Sequence, residues 1–166
     1  FYSFSREQAM QAVSYYREYY EEKGMFENEV YPGIKQLLRD LIKQGVLCLV
    51  ATSKPEIYAK KILDYYELSN YFYYIAGANM DGTRTDKAEV IAYALKQIPA
   101  EYSNKKVLMV GDRSHDIIGA KKNGIDCAGV LFGYGSREEL EEAGADFVAD
   151  SVEAVRNIVF LNAAKN

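Results

Sequence analysis

Asp112 and Asp116 lie four residues apart, and this pair is the feature of the sequence that points most directly to a functional site. The apolar run at residues 107–110 is typical of a buried parallel strand, and the apolar spacing of residues 117–120 begins an amphipathic helix. Asp112 is therefore predicted at the carboxyl end of a strand and Asp116 in the first turn of a helix. That edge of an α/β sheet binds ligands, and two carboxylates there suit a hard cation such as Mg²⁺. Alternatively, Asp116 only complements the helix dipole and Asp112 only ends a turn.

A second polar group, Thr52, Ser53 and Lys54, follows a predicted strand at 46–51 and precedes a helix predicted to begin at Pro55. Hydroxyl and backbone N–H groups beside a helix start form a natural seat for phosphate. The alternative is that Thr52 or Ser53 only caps that helix.

Lys87 lies at the start of a helix predicted at residues 86–97. A cation in the first helical turn opposes the helix dipole, so its position calls for an anion or a carboxylate nearby. The alternative is an ordinary exposed lysine.

The elements that must position these residues alternate regularly from residue 46 onward. Strands are predicted at 46–51, 73–76, 107–110, 125–132 and 146–148, and helices at 55–66, 86–97, 114–123, 136–143 and 152–159. Two further helices precede them, one opened by a Ser5–Gln8 capping box and ending near Lys23, and one over residues 34–45. The pattern predicts an α/β fold with a mostly parallel sheet and helices on both faces.

The composition is that of an ordinary, mildly acidic globular protein: 166 residues, 49% hydrophobic, 27% charged, net charge −4. No basic stripe interleaved with aromatics is present, which argues against a nucleic-acid partner, and no apolar run is long enough for a membrane span. Cys48 and Cys127 lie in apolar runs, as expected for reduced core cysteines of a cytoplasmic protein. Four tyrosines at helical spacing predict an amphipathic packing face: Tyr15, Tyr16, Tyr19 and Tyr20.

In combination, Thr52, Lys87 and the segment from Gly111 to Asp116 resemble motifs two, three and four of the haloacid dehalogenase superfamily, in the order of its phosphatase branch. Finer features resemble phosphoglycolate phosphatase-like enzymes with a helical cap, which include members described as 5′-nucleotidases. Those features are the sequences at 50–55 and 77–83, and Gly133-Tyr134-Gly135 followed by residues 138–140. The resemblance extends over nearly all of the chain from Tyr15 onward.

The resemblance implies a Rossmann-like core of the haloacid dehalogenase type and a Mg²⁺-dependent phosphomonoesterase that works through a phospho-aspartyl intermediate. It implies two catalytic residues: Thr52 hydrogen-bonds a phosphoryl oxygen, and Lys87 neutralises the phosphoryl charge. Ser53 and Lys54 flank the phosphate or a substrate carboxylate.

The same resemblance assigns the two aspartates to Mg²⁺: Asp112 ligates it, and Asp116 completes or orients the acidic cluster, directly or through water. The partner implied is a small phosphomonoester, with phosphoglycolate and nucleoside monophosphates as the leading candidates, and the protein is expected to be a monomer or homodimer.

The first motif of the superfamily, Asp-x-Asp-Gly-Thr at the end of a strand, is missing from this sequence. The Asp-Gly-Thr at 81–83 follows Thr52 and carries Asn79 at the nucleophile's position, so it is predicted to be a tight turn. The nucleophilic aspartate is therefore expected upstream. Residues 1–28 are predicted to be the last part of a helical cap, with a hinge at 26–32, and residues 29–166 a core without its first strand.

Two other functions remain open. Gly133-Tyr134-Gly135 after a strand allows a Rossmann-type nucleotide binder, although Glu138 stands where a third glycine is required. A catalytically inactive binding or regulatory module with the same fold is the other alternative. His115, the single histidine, is interpreted as a spacer between the two aspartates.

Overall fold

The computed structural model describes residues 3–163, so the ends of the two predicted domains, residues 1–2 and 164–166, lie outside the described residues. Helices and strands alternate along most of this range. Their bounds are α1 Arg6–Glu22, α2 Ile34–Lys43, β1 Leu49–Pro55, α3 Glu56–Tyr65, β2 Tyr74–Ala78, α4 Lys87–Leu95, β3 Leu108–Gly111, α5 Ser114–Lys122, β4 Asp126–Val130, α6 Arg137–Glu142, β5 Phe147–Ala149 and α7 Val152–Ala163. The predicted α/β class with parallel strands is confirmed.

The described strands form two parallel sheets, β1–β2 and β3–β4–β5, where the sequence pattern predicted a single sheet. Val50 of β1 pairs with Ile75 of β2, and Val110 of β3 pairs with Ala128 of β4. Among residues 3–163, β1 and β3 each have a strand on one side only. The other edge of β1 and the other edge of β3 have no described partner, so the two sheets are not joined into one.

Strand β4 carries packed side chains on both faces. Cys127 packs with Ile117 of α5 and Leu140 of α6, and all three side chains are completely buried. Three residues farther along the strand, Val130 packs with Leu37 of α2 and Val155 of α7. Alternation along a strand sends these two side chains to opposite faces, so helices cover both sides of the sheet, as predicted.

Helix α1 begins as the sequence predicts but packs differently. The Ser5 hydroxyl accepts the Gln8 N–H at 3.2 Å, and the Gln8 side chain accepts the Ser5 N–H at 2.9 Å, which completes the capping box. No residue of this helix is buried, and Tyr15, Tyr16 and Tyr19 are each more than half exposed. The predicted packing face is therefore wrong for these tyrosines, because helical spacing places side chains on one face without determining whether another element covers it.

Both cysteines are free: Cys127 is buried and Cys48 half-buried. Burial raises the pKa of each thiol. Within residues 3–163, no helix is both long enough and apolar enough to cross a bilayer.

Candidate active site

The segment Thr52–Lys54 belongs to the last part of β1, which extends to Pro55 rather than ending at Ala51 as predicted. Its pairing with β2 is irregular between Ala51 and Pro55. The Thr52 hydroxyl accepts the Lys54 N–H at 3.2 Å, and no side chain caps α3. The capping role considered for Thr52 or Ser53 is therefore wrong, and this polar segment is not used to terminate the helix.

The turn after β2 is held against the start of α3 by Arg84, a residue that sequence reasoning missed. Its guanidinium lies 3.7 Å from the ring centroid of Tyr93, and its Nε donates to the Gly77 carbonyl at 2.8 Å. Its Nη2 is 3.4 Å from Glu56 Oε2. A Cβ on Gly77 would come within 2.6 Å of the backbone of Lys54 and Glu56, so glycine is what permits this close approach.

The predicted tight turn at Asp81-Gly82 is confirmed. Gly82 has a φ of +84°, which favours glycine, and Asp81 Oδ1 accepts the Thr83 N–H at 2.9 Å. Asn79 lies two residues before Asp81, the position that a nucleophile would have in an Asp-x-Asp-Gly-Thr motif. Its side-chain amide donates to the Thr83 hydroxyl at 2.8 Å. Asn79 therefore has a role within the turn.

Lys87 is the first residue of α4 and reaches two other elements of the fold. Its Nζ donates to the Ala51 carbonyl of β1 at 3.1 Å and lies 2.9 Å from Asp116 Oδ1 of α5. The Lys87 side chain is only 11% exposed. The alternative of an exposed lysine is therefore wrong, and the carboxylate that its position called for is Asp116.

Asp116 lies in the first turn of α5, as predicted, and its residue is 4% exposed. Its Oδ2 accepts the N–H groups of Asp112 and Arg113 at 3.1 and 3.2 Å, so it ties the end of β3 to the start of the helix. Its buried Oδ1 faces Lys87 but receives no hydrogen bond of good geometry from the described residues. A Cβ on Gly111 would lie 2.3 Å from the Asp116 Cβ, so this packing requires glycine.

Asp112 directly follows β3, as predicted, and is half-buried. Its Oδ2 accepts the Tyr134 N–H at 2.8 Å, while none of the hydrogen bonds found within residues 3–163 involves Oδ1. His115 is exposed, with Nε2 3.8 Å from Asp116 Oδ1.

Asp112 Oδ1 thus takes part in none of the hydrogen bonds found within residues 3–163, and Asp116 Oδ1 is engaged there only by the Lys87 ammonium at 2.9 Å. Oxygens of this kind are the ligands that Mg²⁺ prefers, and Mg²⁺ takes one or two protein carboxylates and completes its shell with water and phosphate. The residues present fit such an ion in chemical type. Within residues 3–163, no group of three or more His, Cys, Asp or Glu side chains could hold a metal.

Glu139 of α6 is a second supporting residue that sequence reasoning missed. Its Oε1 accepts the Ser114 N–H at 2.8 Å and the Arg113 Nε at 2.9 Å. These two donors lower the pKa of Glu139 to about 2. The available signal was Gly133-Tyr134-Gly135 followed by residues 138–140, which the resemblance included without assigning Glu139 a role.

The described core is thus parallel α/β, and Thr52, Lys87, Asp112 and Asp116 lie where its strands end and its helices begin. The haloacid dehalogenase-like hydrolase family matches residues 1–130. The chain belongs to this family, and the resemblance that its motifs indicated is confirmed.

Its relatives include named phosphatases. A 5′-nucleotidase of Pseudomonas aeruginosa is 38% identical over 160 residues, which are 95% of this chain and 71% of that protein. A phosphoglycolate phosphatase of Vibrio cholerae is 27% identical over 159 residues, or 96% and 70% of the two chains. The tyrosine-protein kinase PtkA of Mycobacterium tuberculosis is 40% identical over 142 residues, which cover 86% of this chain but only 48% of PtkA.

A crystal structure of a Clostridium difficile protein proposed to be a phosphatase is similar to this fold, with a TM-score of 0.88 and 49% identity. The match covers 96% of this chain and 74% of that one. The chain therefore belongs with the phosphatases of the haloacid dehalogenase-like family.

Proposed function

We propose that the protein hydrolyses phosphomonoesters of small metabolites with Mg²⁺, through a phospho-aspartyl intermediate. The observation that carries this proposal is the position of Lys87, whose Nζ contacts both the Ala51 carbonyl and Asp116. The buried Lys87 ammonium therefore links the end of β1, which carries Thr52, to the turn between β3 and α5, which carries Asp112. Phosphoryl transfer relies on such fixed charges, because negative charge spreads over the phosphoryl oxygens in the transition state.

Each residue has a proposed role. Thr52 hydrogen-bonds a phosphoryl oxygen, and Lys87 neutralises the phosphoryl group. Ser53 and Lys54 flank the phosphate or the leaving group, since both are exposed at the end of β1.

Asp112 holds Mg²⁺ through Oδ1, and Asp116 orients Lys87 and the turn that carries Asp112. When bound, Mg²⁺ polarises the phosphoryl oxygens as a Lewis acid.

We place the attacking aspartate on a strand that pairs with the free edges of β1 and β3. Residues 3–163 contain no such strand, and both edges lack a partner there. Val110 of β3 is 40% exposed, although the aligned residue of β4, Ala128, is completely buried. A strand inserted between β1 and β3 would cover this apolar surface and satisfy the open backbone groups. It would also bring a carboxylate to the edge of the sheet where Thr52 and Asp112 lie.

The proposed substrates are phosphoglycolate and nucleoside monophosphates, which are suggested by the names of the phosphatases at 27% and 38% identity. Residues 1–28 are proposed to belong to a cap that faces the leaving group. A contact between β1 and α1 supports this arrangement, because Lys54 Nζ lies 2.8 Å from the hydroxyl of Tyr20. A cytoplasmic location and a monomeric or homodimeric state complete the proposal.

The test is phosphate release by the full-length protein from a panel of phosphomonoesters over a Mg²⁺ titration. We expect turnover of at least one member, with Mg²⁺ required, and loss of that turnover in Lys87→Met. Turnover that persists without divalent cations would contradict the proposed role of the metal.

A non-catalytic binding module with the same fold is the second candidate. The feature that favours it is that this sequence lacks the superfamily's first motif, Asp-x-Asp-Gly-Thr, which carries the attacking aspartate. It predicts binding of inorganic phosphate by the full-length protein without hydrolysis of any ester in the panel. Phosphate release from any of these esters would exclude it.

A further inference from the structure

The segment from Gly133 to Glu139 connects β4 to α6 and wraps around the turn that carries Asp112. The Tyr134 N–H donates to Asp112 Oδ2 at 2.8 Å, and the Gly135 N–H donates to the Asp112 carbonyl at 2.9 Å. A nucleotide-binding loop would direct such N–H groups to a pyrophosphate. Here both are directed to one aspartate of the same chain.

Both glycines of this segment are in contact with Asp112. A Cβ on Gly133 would lie 2.3 Å from the Asp112 Cβ, and a Cβ on Gly135 would lie 2.1 Å from its carbonyl oxygen. Neither glycine has a positive φ, so the requirement for glycine arises from this close approach. Any side chain at 135 would displace the loop or Asp112.

At the other end of the segment, Glu139 contacts the start of α5. Arg113 occupies the N-cap position of that helix, but a guanidinium cannot accept a hydrogen bond from the exposed N–H groups. The Glu139 carboxylate supplies the acceptor: it takes the Ser114 N–H at 2.8 Å and pairs with Arg113 at 2.9 Å. The three residues that follow β3 are thus held by contacts from a single segment of the chain.

We propose that the Gly133–Glu139 segment is the positioning element of the metal site, with Gly135 and Glu139 as its positioning residues. By occupying Asp112 Oδ2, the segment leaves Oδ1 as the one oxygen that Asp112 can direct to a cation. Glu139 prevents the 112–114 turn from rotating, because it binds both the Ser114 backbone N–H and the Arg113 guanidinium. This inference rests on the proposed function only in assigning a divalent cation to Asp112.

The test measures cation affinity directly, with Mn²⁺ as a paramagnetic probe titrated into the full-length protein without substrate and followed by electron paramagnetic resonance. We expect Glu139→Ala and Gly135→Ala to raise the Mn²⁺ Kd about 10-fold or more, the effect typical of residues that orient a metal ligand. Glu141→Gln is the matched control, because Glu141 lies on the same helix and pairs with Arg137 on the surface. Its Mn²⁺ Kd is expected to match that of the wild type.

A second readout separates positioning from a general loss of structure. We expect the Mg²⁺ concentration required for half-maximal phosphate release to rise in Glu139→Ala, while the KM for the ester stays near the wild-type value. A folded Glu139→Ala with wild-type Mn²⁺ affinity would overturn the inference. If this variant does not fold, Gly135→Ala decides, because its Cβ would approach the Asp112 carbonyl oxygen: a folded Gly135→Ala with wild-type Mn²⁺ affinity would overturn the inference equally.

Failure of the proposed function is distinguishable in the same titration. If wild-type protein binds no Mn²⁺, or if Asp112→Asn binds it normally, the assignment of a cation to Asp112 is wrong and the positioning role falls with it. If Asp112→Asn loses Mn²⁺ while Glu139→Ala and Gly135→Ala retain it, only the positioning role is wrong.

Discussion

Lys87 and Asp116 form a buried ion pair, with Nζ 2.9 Å from Oδ1 and side chains that are 11% and 6% exposed. The pair joins the first turn of α4 to the first turn of α5. Both charges are largely removed from water, which strengthens their attraction and makes an unpaired partner costly. Replacing one partner alone is therefore expected to be destabilising, and the pair places a cation at the proposed phosphate site.

Lys87→Met is expected to lower turnover of the full-length enzyme by about 100-fold or more, because a fixed charge at the phosphoryl group is lost. It is also expected to lower the free energy of unfolding by about 3–5 kcal/mol, because Asp116 is left buried and unpaired. Denaturant unfolding of Lys87→Met, Asp116→Asn and the double variant measures the second effect. The double variant should lose less than the two single losses combined, and strict additivity would contradict the pairing.

Asp112→Asn is expected to abolish the Mg²⁺ dependence of phosphate release together with nearly all turnover. Folding should change little, because an asparagine oxygen can still accept the Tyr134 N–H that Oδ2 accepts now. Asp126→Asn, an exposed carboxylate at the start of β4, is the matched control and should behave as wild type. Wild-type activity of Asp112→Asn across a Mg²⁺ titration would show that Asp112 holds no metal.

Asp146 is expected to stabilise the fold in a pH-dependent way. Its pKa is lowered from the ordinary 3.8, chiefly by Lys121, whose Nζ lies 2.5 Å from Oδ1, and also by the Cys127 N–H. A lowered pKa in the folded state contributes stability above the unfolded pKa and loses it as the pH falls through the folded pKa. The Tm difference between wild type and Asp146→Asn should therefore be largest above about pH 5 and shrink below about pH 4. A constant difference across this range would contradict the assignment.

Arg84→Lys is expected to lower the free energy of unfolding by about 1–2 kcal/mol, because an ammonium cannot stack on Tyr93 as the planar guanidinium does. Loss of the Nε bond to the Gly77 carbonyl adds to this effect. Tyr93→Phe is the control, since it keeps the ring under Arg84 and removes only the hydroxyl contact with Tyr74. Equal stability of Arg84→Lys and wild type in urea unfolding would show that the stacking is unimportant.

Residues 1–166 expressed alone are expected to release no phosphate from esters that the full-length protein hydrolyses, because none of the proposed site residues is the attacking carboxylate. The yield of folded monomer should also be lower, since among residues 3–163 β1 and β3 each have an edge with no partner strand, which leaves backbone groups unpaired. Size-exclusion chromatography and phosphate assays on the two proteins measure both effects. A well-folded, active product from these residues alone would contradict the proposed mechanism.

The amino-acid sequence determined what depends on neighbouring residues. The alternation of strands and helices, the Asp81-Gly82 turn and the Ser5–Gln8 capping box follow from local periodicity and local hydrogen bonds. The positions of Asp112 and Asp116 at the end of a strand and in the first turn of a helix were predictable for the same reason.

Only the tertiary structure decided which distant residues meet. Nothing in the local sequence pairs Lys87 with Asp116 or brings Glu139 to the start of α5, because such contacts depend on how separate helices pack across the sheet. The tyrosines of α1 illustrate the same limit. Their spacing places them on one face of the helix, but whether that face is covered depends on another part of the molecule. The spacing of residues along one element determines which face of that element they share. Whether that face is in contact depends on the three-dimensional arrangement of two elements.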